Sequence, residues 1–73
     1  MTSSLSLRAT FDAVHWLAQN QNAVADQAYR HAAMLRGLGM SEALVAEAEG
    51  AAARMRALAA RLDEVAAKML EGL

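Results

Sequence analysis

Apolar residues recur along the second half of the chain with the alternating four-and-three spacing of a helix. Leu44, Ala48, Ala51, Met55, Leu58, Leu62, Val65 and Met69 make one series that no polar residue interrupts. At about 100° per residue these positions share a narrow stripe, and its persistence over successive heptads predicts a helix that packs as in a coiled coil or a bundle. Beside the stripe Val45, Ala52, Ala59 and Ala66 repeat every seventh residue, small enough to let another backbone come close. On the other flank Glu47, Arg54, Arg61 and Lys68 keep the same period, as partner-facing charges do.

The first half carries a comparable but noisier series: Val14, Leu17, Gln21, Val24, Ala28, His31, Leu35 and Leu38, with Ala25 and Ala32 beside it. Asp12, His15, Gln19, Asn22, Asp26 and Arg30 map to the far side, as a solvated face should. "AQNQNA" at 18–23 is a weak helix former that could bend or fray, yet it holds no glycine or proline and the stripe runs through it. One helix is expected from about residue 7 or 10 to 38, with Ser4, Ser6 and Thr10 as the candidate N-caps.

Between the two lies "RGLGMSEAL", and its residues spell a turn. Gly39 takes C′, where the backbone turns left-handed and glycine avoids a Cβ clash. Met40 is then C″, within reach of Leu35. Ser41 caps the next helix, with Glu42 in its first turn, and Met40 and Val45 stand at N′ and N4 as a hydrophobic staple. So short a connection joins antiparallel neighbours. The expected fold is all-α: a single-domain hairpin over residues 1–73, with helix one about 7–38, the turn at 37–41 and helix two about 42–71.

Two packed helices cover one line of side chains each, whereas helix one is apolar over a broad arc. Phe11 and Tyr29 stand at one margin of that arc, Trp16 and Met34 at the other. A chain of 73 residues with no cysteine has a small core and no disulfide to brace it. The hairpin is therefore expected to complete a four-helix bundle, as a homodimer or against another helical protein. The interaction seam is read as Val14, Leu17, Val24, Ala28, His31, Leu35, Leu44, Met55, Leu58, Leu62, Val65 and Met69. Phe11, Trp16, Tyr29 and Met34 are the candidates for a second interface, since large aromatics anchor binding. Gln21 and His31, the polar residues in the stripe, fit a role in register or partner choice, with a pH-sensitive assembly switch at His31 as the sharper form.

Chemistry is hard to find in this chain. His15 and His31 lie about 160° apart on the wheel, and neither belongs to a His-x-x-x-His or Glu-x-x-His pair, so neither a metal nor a cofactor is expected. The serines stand in capping contexts with no base beside them, and "GLG" leads into a serine with no lysine following. The reading is of a non-enzymatic protein-protein interaction module: a small adaptor, co-chaperone, inhibitor or assembly factor. Seven Lys+Arg against eight Asp+Glu leave no basic footprint. A dimeric hairpin that binds nucleic acid, in the manner of the Rop regulators, is the competing reading, through Arg8, Arg30, Arg36, Arg54 and Arg61. No apolar run approaches the length of a membrane span, and "MTSSLSLRATF" lacks the pattern of a signal peptide. The expected location is cytoplasmic, with leaderless export left open.

The outline is similar to three families of helical hairpins. Type VII secretion substrates carry Trp-x-Gly in the turn, whereas the turn here reads "RGLGMS" and Trp16 lies in mid-helix. No face of this chain matches the RNA-contacting face of the Rop plasmid-copy regulators. The likeness to the small co-chaperones of type III secretion needle subunits rests on "RGLG" and helical periodicity. The sequence assigns the chain to none of them.

Overall fold

The computed structural model describes residues 4–72, apart from the side chains of Ser4 and Leu5. It is an antiparallel pair of helices packed along their lengths, α1 (Ser4–Gly37) and α2 (Glu42–Glu71), 34 and 30 residues long. The pair forms a rod of 57 × 14 × 13 Å. Its radius of gyration is 16.7 Å, against about 11 Å for a globular chain of this length.

The turn is built as its residues dictate. Gly39 is the one described residue with positive φ, at +77°. The Met40 amide donates to the Leu35 carbonyl (3.1 Å) and the Gly39 amide to that of Arg36 (3.1 Å). These are the two bonds of a Schellman stop. Ser41 then opens α2, its hydroxyl accepting from the Leu44 amide at 3.2 Å. Helix one begins earlier than the sequence suggested: Ser6 and Thr10 lie inside α1. Thr10 Oγ1 instead donates back to the Ser6 carbonyl at 2.9 Å, a bond open to threonine within a helix. The "AQNQNA" segment is helical throughout.

The helices meet on their smallest residues. Among the described residues, Ala18, Ala25 and Ala32 of α1 and Val45, Ala52, Ala59 and Ala66 of α2 are the buried hydrophobic ones. Val45, at the turn end, is the largest side chain fully enclosed. Phe11, in register with Ala18, Ala25 and Ala32, is half-buried towards the open end. Methyl-lined faces let the backbones approach closely, and closeness is what removes the rest of the line from water. The contact between the helices is thus the seven-residue repeat of small side chains, and the larger seam residues lie to one side of it.

Such a contact tolerates no added volume. We expect Ala52→Leu to destabilise the hairpin by about 1–3 kcal/mol in urea unfolding followed by circular dichroism. Ala53→Leu, on the exposed side of the same helix, should change it little.

Candidate interaction surface

Taking the alanine line as the origin on each helix orders the remaining residues. The seam expected from the sequence occupies two offsets: the residue just before each line position, and the residue three beyond it. On α1 these are Leu17, Val24, His31 and Leu38, then Val14, Gln21, Ala28 and Leu35. On α2 they are Leu44, Ala51, Leu58 and Val65, then Ala48, Met55, Leu62 and Met69. In an antiparallel pair equal offsets from the contact line project to the same side. Both seams therefore lie on one side of the hairpin and form a single apolar face across both helices.

Burial agrees with this placement. Val14, Gln21, Val24, Ala28, Leu35, Ala48, Ala51, Met55, Leu62 and Met69 are half-buried, turned partly into the cleft between the helices. Leu17, Leu38, Leu44, Leu58 and Val65 are exposed, Leu58 and Val65 by 48% each. His31 is exposed at the edge of this face. With Met34, Leu35 and Leu38 it lines an open hollow of about 330 Å³ near the turn. Gln21 is the polar residue nearest the middle of the face.

The opposite flank, four residues beyond the line, is polar and bonded across the helices. Arg56 of α2 reaches Asn22 of α1 (Nη1 to Oδ1, 3.1 Å) and the Asp26 carboxylate, and its guanidinium sits 5.7 Å from the centre of the Tyr29 ring. Nearer the turn Arg36 bonds to Glu49 at 2.9 Å, with Glu42 at 3.8 Å. These are exposed ion pairs, worth about 0–1 kcal/mol each. They orient one helix on the other more than they hold the pair together. The hydrogen bond and charge of Arg56 keep the Asp26 carboxyl below its ordinary range, and Arg30 adds to the effect.

The aromatic and methionine candidates for a second interface do not come together. Tyr29 stands on the polar flank beside Arg56. Phe11 is half-buried and its ring stacks on His15, centroids 5.7 Å apart. Trp16 and Met34 are 63% and 62% exposed on the outer side of α1, about 27 Å apart along the helix at 1.5 Å per residue. The arginines are divided too. Arg8 pairs with Asp12 at 3.5 Å, while Arg36 and Arg56 are held by α2–α1 bonds. Arg54 and Arg61 flank a shallow hollow with Ala57 and Leu58. Among the described residues no three His, Asp or Glu side chains are grouped to hold a metal ion, and no helix is long and apolar enough to cross a membrane.

Sequence reasoning left Asn22 and Asp26 on a solvated far side. The signal that places Asn22, Tyr29 and Arg56 on one flank is the alanine line itself, once it is taken as the contact. No protein-family model, curated protein or solved structure matches the chain.

Because its native pKa is lowered, Asp26 contributes stability at pH values above its ordinary 3.8, and that contribution disappears as pH falls through the lower native value. Asp26→Asn should therefore reduce stability at neutral pH, and its difference from the wild type should shrink on acidification. Thermal melts between pH 7 and about pH 2 test this.

Proposed function

We propose that the protein is a non-enzymatic helical interaction module, which works by packing its two-helix apolar face against further helices to complete a four-helix bundle. One observation carries the reading. The hairpin uses its alanines and Val45 for its own contact and carries Leu17, Val24, Leu35, Leu44, Met55, Leu58, Leu62, Val65 and Met69 on a continuous face beside that contact. A buried methyl group contributes about 0.8 kcal/mol and a fully buried leucine or methionine up to about 3. The half-buried and exposed side chains of this face therefore hold apolar energy that the hairpin alone does not gain and that docking would add.

The class of activity that fits is masking, scaffolding or regulating a helical partner, which is either a second copy of the chain or another protein. The arginines support this over a phosphate-binding role. Of the five arginines that the nucleic-acid reading uses, Arg8 and Arg36 are paired with carboxylates, and neutralised side chains are poor collectors of phosphate charge. Helix packing also predicts association that varies little with salt, where phosphate-driven binding weakens steeply.

Leu58→Asp, in the middle of the face and outside the alanine contact, is expected to abolish assembly. Light scattering would report a lower solution mass, with helicity followed by circular dichroism. Where the wild type is an oligomer, a folded Leu58→Asp protein that keeps the oligomeric mass would sink the assignment of this face.

A further inference from the structure

We infer that the occupant of the apolar face is a second copy of the same hairpin, lying antiparallel to the first with the two turns at opposite ends of the bundle. This rests on the docking reading above and goes beyond it by naming partner and geometry.

The first argument is area. The hairpin exposes 5264 Å², whereas a compact monomer of 7.8 kDa exposes about 4,400 Å². The excess, about 900 Å², matches the roughly 800 Å² that each partner buries in a standard interface. A second copy docked on that one face by a twofold axis is enough to cover an area of this size.

The second argument is the distribution of side-chain size along that face. Between the turn and the middle it is sparse, since Ala28, Ala48 and Ala51 lie at about one level, with Leu35, Leu38 and Leu44 on the turn side of them; towards the open end of α2 it is bulky, with Leu58, Leu62, Val65 and Met69. A twofold axis through the middle of the rod and perpendicular to it exchanges the two ends. Ala48 stands as far from the start of α2 (Glu42) as Val65 does from its end (Glu71), and Ala51 is placed likewise with respect to Leu62. The same symmetry relates Met55 to Leu58 and Leu44 to Met69. Each small residue of one copy is thus set opposite a large residue of the other.

With the turns at the same end, the alanines of both copies would share one level and leave a void, which close-packed interiors disfavour. On α1 an axis at the middle of α2 crosses between Asn22 and Ala23, at the same number of residues from the turn, which sets Ala28 opposite Leu17 and leaves Gln21 as a face residue close to the axis. There the two Gln21 amides, each both donor and acceptor, can bond to one another. At the outer rim of α2, Glu47 of each copy comes near Lys68 of the other. The same axis sets Arg54 near Arg61 of the second copy, a like-charged contact that is exposed and so screened by salt.

Two measurements on the full chain test this. The first is a size exchange read by light scattering, with circular dichroism confirming the fold. Ala51→Leu should raise the dimer dissociation constant about ten-fold or more, and adding Leu62→Ala should restore dimerisation by returning the volume across the axis. The second is the distance between spin labels on Gly37→Cys, a site where an added Cβ meets nothing within 4 Å. Opposite-end turns place the labels far apart, towards the 57 Å length of the rod. A short label distance in an intact dimer, or a double variant no tighter than Ala51→Leu, overturns the antiparallel geometry. A folded wild-type monomer overturns the second copy while leaving the face free for another protein. A dimer that survives Leu58→Asp shows instead that the docking face itself is wrongly placed.

Discussion

The contact between alanine methyls on α1 and α2 decides everything else about this hairpin. Small side chains every seventh residue let the backbones come close, and among the described residues none larger than Val45 is fully enclosed between them. Because the helices meet on that line, the residues just before it and three beyond it are carried to one side. Those four beyond it are carried to the other. One repeat thereby sorts the remaining residues into an apolar face and a polar flank, without any loop or third element.

The two sides then divide the work between them. The polar flank, where Arg56 spans to Asn22 and Asp26 and Arg36 spans to Glu49, fixes rotation and register through bonds that are individually weak. The turn fixes direction, since the Schellman stop at Gly39 and the Ser41 cap leave no slack between the helices. The apolar face is left with the bulk of the hydrophobic side chains and little internal use for them. In a chain with no disulfide to brace it, that imbalance is the physical basis for reading the face as an interface.

The turn was legible in the sequence almost residue by residue, because Gly39, Met40 and Ser41 act through local backbone geometry that their identities dictate. The seam was legible as a stripe for the same reason, since periodicity reports which residues share a face. Which face meets which helix is a different question. Hydrophobicity ranks leucine above alanine and so points to the seam as the contact. Closeness of approach favours alanine, and that preference belongs to the pair of helices, not to either one alone. The start of α1 was misplaced because Ser6 and Thr10 are good caps and also acceptable helix residues when a hydroxyl can bond back to a carbonyl one turn earlier. Asn22 and Asp26 were taken for solvated residues because their partner, Arg56, lies on the other helix and no single-helix pattern reveals it.

The division between a small-residue contact and a large-residue face also bears on how the hairpin would recognise a partner. A face made only of leucines would be adhesive without being selective. This one is uneven: leucines at the turn, alanines at one level between the turn and the middle, leucines, valine and methionine towards the open end, and a glutamine near the middle. Uneven volume makes a surface fit some registers and exclude others, and a half-buried amide penalises any arrangement that leaves it unpaired. His31, exposed at the edge beside Met34, Leu35 and Leu38, places a second polar group where a misaligned partner would have to cover it. On the docking proposal, selectivity would come less from what the face attracts than from the few arrangements its alanines and polar residues permit.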